Sequence, residues 1–338
     1  MKPIFSQKDA RKFWNLIKSQ CFAVPNFWDY LPFDDFLYDL MAQDELRNQR
    51  YRKVLAQTVR GKTVVEIGPG DRLVLTLMAA EAGAKKIYAI EVNEVAYHNA
   101  RALVAEKGLT NQIELIHGLS DQVELPEKVD ICLSEIIGTI GNSEGSSRHL
   151  SNAKRFLKPS GKMIPEGIMT WLSPVFKPTQ VYQNTFLTEL ISYYTQAVEE
   201  KLGSKPHFTL YEYWNFPSSH LISPEQIFEE YWFNDTILKD TFNKTLTFKV
   251  TQDTPLEGLL LWINLYVDKN NVLNAFNNTT HWPSVYIPIK PCNLQKGDNI
   301  RVNCCSTFDS SQFNPDYYFE VLINGKQHDN IEMGFRDW

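Results

Sequence analysis

The sequence lacks the patterns of several common protein classes. Its five cysteines are scattered and include no C-x-x-C pair, so neither a disulfide framework nor a zinc site is predicted. No apolar stretch is long enough to cross a membrane. Residues 1–22 mix basic with apolar side chains, which is typical of an amphipathic helix and not of a signal peptide. We therefore expect a metal-free protein of a reducing compartment, by default the cytoplasm, with no membrane partner.

Basic residues are not in excess either. The formal net charge is −6 at pH 7 and the sequence pI is about 5.7, which argues against a nucleic-acid partner and suits a cationic ligand. With 338 residues, of which 43% are hydrophobic and 13% aromatic, the chain can bury a large core. Its length allows two domains.

The first half of the chain alternates between helical and strand patterns. Two amphipathic helical patterns occupy residues 34–59, where apolar residues recur at steps of three and four. Four apolar strand patterns then follow, interleaved with helical ones. The strands are predicted at residues 63–67, 86–90, 113–116 and 129–133, and the helices at residues 72–82 and 95–107. Strands separated by helices indicate βαβ units and therefore a parallel sheet.

The second half of the chain has a different residue pattern. Runs rich in β-branched and aromatic residues at 258–267, 284–289 and 317–323 predict an all-β module, and Asn324-Gly325 predicts a hairpin turn. Residues 181–202 form a helical pattern inserted before these runs. One face of that pattern is apolar and consists of Phe186, Leu187, Leu190, Ile191 and Tyr194. From the pattern alone, the helix either packs on its own β module or protrudes as an arm that joins two subunits.

Two glutamates, Glu135 and Glu144, bracket a glycine-containing segment that directly follows the strand predicted at residues 129–133. In an open α/β sheet, ligands bind outside the carboxyl ends of the strands. Two carboxylates at that place form a fork suited to a planar cation, and the guanidinium of arginine has matching donors. A pair of glutamates on a loop is otherwise solvated surface, so it is the position at the strand end that favours a binding site.

A glycine turn ends the first predicted strand. Gly68 and Gly70 permit a tight turn and let a ligand approach the backbone, whereas Arg72 replaces the third glycine of a dinucleotide fingerprint and disfavours NAD. Glu91 ends the second strand about twenty residues later, as expected for an acid that accepts hydrogen bonds from ribose hydroxyls; capping of the next helix is the alternative. Asp121, after the third strand, could accept from an adenine amino group or be a solvated loop acid.

In combination these motifs resemble the protein arginine methyltransferases, a family of class I S-adenosylmethionine-dependent enzymes, along nearly the whole chain. Residues 66–70 are similar to the cofactor motif of that family and residues 134–144 to its double-glutamate loop, with both acids at the family's spacing. Thr280-His281-Trp282 is similar to its Thr-His-Trp loop. The residues that match its amino-terminal helix are Met41, Asp44, Glu45 and Arg47.

The resemblance implies an α/β fold with a Rossmann-like parallel-sheet methyltransferase domain, followed by a β-barrel domain that carries a helical arm. The expected segments are amino-terminal helices at residues 1–60, the S-adenosylmethionine-binding domain at 61–165 and the substrate-binding barrel at 166–338. The arm is expected around residues 178–216. In this family such an arm docks on a second subunit, so the resemblance also implies a homodimer.

The resemblance further implies roles for single residues. Glu135 and Glu144 would grip the substrate guanidinium, and His281, oriented by Asp44, would accept its proton. Met41 and Trp282 would complete the substrate site, although Trp282 could equally be a buried barrel tryptophan. The residues expected to hold S-adenosylmethionine are Arg47, Gly68, Gly70, Glu91 and Asp121. The competing interpretation of Arg47 is an intrahelical ion pair with Asp44.

Four positions depart from the family pattern. Arg72 replaces a glycine, Ile136 a tryptophan, Thr139 a tyrosine and Ser146 a methionine. The leading hypothesis is methyl transfer to arginine in a protein or peptide. The first alternative is a methyltransferase for a small guanidine or amine or for a natural-product peptide. The second is a catalytically silent scaffold.

Overall fold

The computed structural model describes residues 5–235, 238–308 and 314–334. The predicted segments 1–60 and 166–338 include residues 1–4, 236–237, 309–313 and 335–338, which lie outside the described residues. Among the described helices, none combines the length and the hydropathy that crossing a membrane would need.

The amino-terminal segment is partly helical, as predicted. It contains helices α1 (Gln7–Ile17), α2 (Asp35–Ala42) and α3 (Glu45–Thr58), together with the short strand β1 (Phe22–Pro25) between α1 and α2. Asp34 and Asp44 start α2 and α3, because each carboxylate accepts the backbone N–H of the residue three positions later. Strand β1 was not predicted. It pairs with a strand of the second half of the chain, so the segment is not purely helical.

The next segment forms a five-stranded parallel sheet, which confirms the predicted βαβ units. Its elements are β2 (Thr63–Ile67), α4 (Val74–Glu81), β3 (Lys86–Glu91), α5 (Glu94–Glu106), β4 (Ile113–His117), β5 (Val129–Ser134), α6 (Ser146–Ala153) and β6 (Leu157–Ile164). The strand order is β4-β3-β2-β5-β6. Because β3 and β5 flank β2 on opposite sides, the topology switches direction at β2, and a crevice opens at the carboxyl ends of these strands.

The remaining strands form two antiparallel sheets, which confirms the predicted β domain. They are β7 (Gly167–Val175), β8 (Tyr211–Trp214), β9 (Gln226–Trp232), β10 (Phe242–Lys249), β11 (Thr254–Asp268), β12 (Asn271–Asn274), β13 (Ser284–Leu294), β14 (Asn299–Thr307), β15 (Asp316–Ile323) and β16 (Lys326–Gly334), with helix α7 (Thr185–Leu202) after β7. One sheet has the order β1-β8-β13-β11-β7-β9, with β12 on β11, and the other β10-β14-β15-β16. The predicted turn at Asn324-Gly325 joins β15 to β16, and both residues have positive φ.

Helix α7 covers its apolar face within the same chain. Leu187, Leu190 and Tyr194 are buried in a cluster formed with aromatic residues of the amino-terminal segment. The ring of Tyr194 stacks on Phe27 with centroids 4.9 Å apart, and its hydroxyl donates to Asp34 Oδ2 at 2.7 Å. The face predicted to pack on the β module or on a second subunit therefore lies mainly against the amino-terminal helices, because these supply the nearest aromatic surface.

Candidate active site

The crevice beside β2 contains a cavity of about 410 Å³, which we call the cofactor cavity. Gly68 and Gly70, in the turn between β2 and α4, line it, as do Arg47 and Glu91. Gly68 has φ = 69°, and a Cβ there would lie 3.0 Å from Ile136 Cγ2. The glycine turn is thus required both by its left-handed conformation and by the close approach of the neighbouring loop.

Glu91 braces this turn. Its side chain is buried, Oε2 accepts from the N–H of Gly70 at 3.0 Å and Oε1 from that of Asn93 at 2.8 Å. The cap of α5 is Asn93 itself, whose Oδ1 accepts from the N–H of Ala96. Glu91 thus contacts the start of α5 as well as the glycine turn, while the side-chain cap of the helix is Asn93. Burial raises the pKa of Glu91, while the backbone donors oppose that shift.

Asp121 does not reach the cofactor cavity. The lining after β4 is supplied by Gly118, Leu119 and Ser120, and Asp121 is exposed. The N–H of Gln122 bonds to the carbonyl of Leu119, so Asp121 is a central residue of a turn that points to solvent. The expected contact with an adenine amino group is thus replaced by the alternative, a solvated loop acid.

Two further residues of the cofactor cavity were not assigned from the sequence. Glu66, at the end of β2, is buried and accepts a hydrogen bond from Thr76, and burial raises its pKa to about 8. Arg72 lines the cavity as well, and its guanidinium makes ion pairs with Asp71 at 2.8 Å and with Asp39 at 3.2 Å. The second pair ties the glycine turn to helix α2.

A second cavity, of about 110 Å³, lies between the parallel sheet and the β domain; we call it the acceptor cavity. The predicted catalytic and substrate-binding residues that line it are Met41, Glu135, Glu144, His281 and Trp282. Met41 and both glutamates line the cofactor cavity too. The two cavities therefore meet at the pair of carboxylates.

Arg47 connects the cavities by an ion pair that the sequence did not reveal. Its Nη1 lies 2.7 Å from Glu135 Oε2, and the side chains of Arg47 and Glu135 are only 5% and 10% exposed. The carboxylate of Asp44 instead accepts the backbone N–H of Arg47 at 2.9 Å. The competing interpretation of Arg47, an intrahelical ion pair with Asp44, is therefore wrong. Burial raises the pKa of Glu135, and the positive charge of Arg47 opposes that effect.

Asp44 organises the loop that carries His281. It is fully buried; its Oδ2 lies 2.8 Å from His281 Nδ1 and accepts from the N–H of His281 at 2.9 Å and from the hydroxyl of Thr280 at 2.5 Å. A carboxylate at Nδ1 places the ring proton on that nitrogen and leaves Nε2 as an acceptor. Burial opposes ionisation of Asp44, but the hydrogen bonds and charge of His281 prevail and lower its pKa to about 2.

The segment between the two glutamates is held rigidly from the β domain. Glu229, buried on β9, accepts from the backbone N–H of Asn142 at 3.0 Å and from the hydroxyl of Thr170 at 2.9 Å. Trp282 Nε1 donates to the carbonyl of Ile137 at 2.8 Å. Trp282 is thus both buried in the fold and part of the cavity wall. The position of Glu144 depends on these contacts.

Glu144 itself is an acid in an apolar setting. Burial raises its pKa to about 8, with further contributions from the negative charges of Glu135 and Asp29. Asp29 and Glu212 also line the acceptor cavity, and neither was predicted. One available signal was the lone acid in the otherwise aromatic strand Tyr211–Trp214.

Comparisons with known proteins agree with this geometry. A family model described as PRMT5 arginine-N-methyltransferase matches residues 33–164. Protein arginine N-methyltransferase PRMT10 of Arabidopsis thaliana is 28% identical over 311 residues, covering 79% of each chain. The probable histone-arginine methyltransferase 1.4 of the same plant is 27% identical over 77% of this chain, which spans only about half (52%) of that protein.

Solved structures show the same fold. The crystal structure of the Arabidopsis PRMT10, described as uniquely open, has a TM-score of 0.68 at 22% identity and covers 91% of this chain and 98% of its own. The Trypanosoma brucei PRMT1 enzyme-prozyme heterotetrameric complex with AdoHcy has a TM-score of 0.66 at 19% identity, covering 87% and 96%. The resemblance seen in the double-glutamate and Thr-His-Trp motifs is thus confirmed: in sequence the chain is similar to protein arginine methyltransferases, and it shares their fold.

Proposed function

We propose that this chain transfers a methyl group from S-adenosylmethionine to the guanidinium of an arginine in a protein or peptide. The observation that carries the proposal is the junction of the two cavities. Glu135 and Glu144 lie where the glycine-lined cofactor cavity meets the acceptor cavity, and the His281–Asp44 pair contributes to the same acceptor cavity.

The residues of the cofactor cavity fit S-adenosylmethionine. Gly68 leaves room where a side chain would intrude, Glu91 offers carboxylate oxygens to hydroxyl donors, and Arg47 offers a guanidinium to a carboxylate. When bound, S-adenosylmethionine supplies an electrophilic methyl group. In this scheme Gly68, Gly70 and Glu91 hold its ribose side and Arg47 its amino-acid side.

The protein's own contribution is positioning and charge. Glu135 and Glu144 accept hydrogen bonds from the substrate guanidinium and fix its plane. The ion pair with Arg47 fixes the Glu135 carboxylate in turn. Because a guanidinium has a pKa above about 12 in water, its attacking nitrogen must lose a proton during the reaction. His281 Nε2 is the acceptor we assign to that proton, since Asp44 holds Nδ1.

The test is transfer of labelled methyl from S-adenosylmethionine to an arginine-containing peptide, with the product located by fragment mass spectrometry. The matched control peptide carries lysine in place of arginine. We expect label on arginine only. Equal labelling of the lysine peptide would refute guanidinium selectivity. A protein that binds S-adenosylhomocysteine but labels no peptide would favour either the silent-scaffold alternative or, if free guanidines are labelled, the small-molecule alternative.

Two finer expectations belong to the same proposal. We propose a cytoplasmic location, supported by five cysteines that are all free. We also propose a homodimer, supported only by the family's arm, here α7. Since its buried face packs on its own chain, a dimer would have to use the outer side of α7, where Tyr182 is exposed nearby and Phe186 and Ile191 are half-buried. Light scattering of the purified protein decides between monomer and dimer.

A further inference from the structure

The acceptor cavity contains more carboxylates than a single guanidinium requires. Besides Glu135 and Glu144, its wall includes Asp29 and Glu212. Among the described residues that line the cavity, none is a lysine or an arginine. Glu135 is already paired with Arg47, which approaches it from the cofactor side. One substrate guanidinium would therefore balance the charge of Glu144 and leave Asp29 and Glu212 without a cation.

Glu212 is placed in the cavity by the register of its strand. Strand β8 lies between β1 and β13, where Glu212 pairs with Val24 on one side and Val285 on the other. Side chains alternate along a strand, so Tyr211 and Tyr213 face away, and Glu212 lies on the same face as Trp214. Its side chain is 3% exposed.

The side chains of Glu212 and Trp214 both lack a polar partner in the described parts of the chain. The structure gives the Glu212 carboxylate no hydrogen bond or ion pair there, and Trp214 Nε1 has no acceptor. Asp29 has one donor, the amide of Asn26 at 2.8 Å. Burying a carboxyl group without partners costs free energy, and an opposite charge offsets that cost. Burial, reinforced by Asp29, raises the pKa of Glu212, which is the condition that a bound cation would reverse.

We propose that Asp29 and Glu212 form a second cation position in the acceptor cavity, so that the preferred acceptor is an arginine with another positive group close to its guanidinium. This inference rests on the proposed methyl transfer and specifies its substrate. The second cation is either the free α-ammonium of an amino-terminal arginine or the side chain of a neighbouring lysine or arginine. Trp28 and Trp214 line the same cavity, and aromatic side chains suit a cation of either source.

The test uses three peptides that differ only in their second charge. The first has one internal arginine and a blocked amino terminus; the second begins with a free amino-terminal arginine; the third is blocked but has a lysine beside the arginine. Initial rates give KM and kcat for the wild type, for Glu212→Gln and for Glu230→Gln, a matched substitution at an exposed position of β9. Asp29→Asn is a second variant in case Glu212→Gln does not fold.

We expect the wild type to show, for one of the doubly charged peptides, a KM at least about tenfold below that of the first peptide, because the second cation would pair with carboxyl groups that are otherwise buried without an opposite charge. Glu212→Gln or Asp29→Asn should abolish that ratio, and Glu230→Gln should preserve it. The peptide with the lower KM identifies the source of the second cation.

Two results would overturn the inference. The first is equal KM values for all three peptides on the wild type. The second is a KM ratio between singly and doubly charged peptides that persists in both Glu212→Gln and Asp29→Asn. Either result would leave the proposed methyl transfer intact. The affinity of each peptide in the presence of S-adenosylhomocysteine, measured by calorimetry, gives the same comparison without turnover. Discrimination in binding without any methylation would overturn the proposed function and support the second cation position. No binding of any peptide would overturn both.

Discussion

Replacing Asp44 by asparagine tests how the two halves of the site are joined. The carboxylate of Asp44 caps α3 through the N–H of Arg47 and, 236 or more positions away, accepts three hydrogen bonds from Thr280 and His281. An asparagine can still cap the helix. If its oxygen keeps the cap, its amide nitrogen faces the three loop donors, all of which bond to Oδ2 of Asp44.

The expected loss of folding stability follows from the charge of Asp44. The pKa of this buried group is lowered from an ordinary value of 3.8 to about 2, which corresponds to about 2 kcal/mol of stabilisation by the ionised form. Because the folded-state pKa is depressed, this contribution is complete above about pH 4 and is lost as the pH falls toward 2. Asp44→Asn should therefore be less stable than the wild type by about 2 kcal/mol at pH 7, with a smaller deficit below pH 4.

Urea unfolding at several pH values measures the deficit, with Asp34→Asn as the matched control. Asp34 also caps a helix, but burial raises its pKa, so its charge gives no comparable stabilisation and the control should be as stable as the wild type or more stable at pH 7. Turnover of Asp44→Asn should also fall, because Asp44 is a positioning residue for His281. A deficit that is independent of pH, or an Asp44→Asn protein as stable as the wild type at pH 7, would refute the reasoning.

Two further predictions concern the junction of the cavities. Glu144→Gln should lower kcat by about 100-fold or more with little change in the affinity for S-adenosylhomocysteine. It should also stabilise the protein above about pH 4.5, because burial raises the pKa of Glu144 to about 8 and the folded state favours its neutral form. Equal losses in kcat and cofactor affinity would contradict this role. Arg47→Ala should weaken S-adenosylhomocysteine binding in calorimetry and, by leaving Glu135 buried and unpaired, destabilise the protein by about 3 kcal/mol; unchanged affinity would refute a cofactor role for Arg47.

The parallel sheet could be predicted from the sequence because local patterns determine it. Strand β2 occupies the predicted residues 63–67, and all five of its side chains are buried, which is the expected signature of a central parallel strand. The two glutamates were predicted from their place after β5, and the structure brings both to the strand ends. Here the prediction depended on topology, which a sequence pattern can convey.

Contacts between distant segments could not be predicted in the same way. The pattern of α7 showed that one face would be buried, but not that aromatic residues such as Phe27 would cover it. Arg47 and Glu135 are 88 positions apart, and only the packing of α3 on the sheet makes them partners. Glu212 carries no motif, and its place in the acceptor cavity depends on strand pairing with β1 and β13.

The position of the double-glutamate loop explains why the site needs both parts of the chain. The loop emerges from the parallel sheet at β5, yet its backbone N–H groups at Gly141 and Asn142 bond to Thr170 and Glu229 of the antiparallel sheet. Glu229 is buried, and although burial raises its pKa to about 7, it accepts from three groups that the two parts supply together, the third being the hydroxyl of Tyr317. Because separating the parts would leave this carboxyl without the donor at Asn142, the geometry of Glu144 is a property of their interface and not of the loop alone.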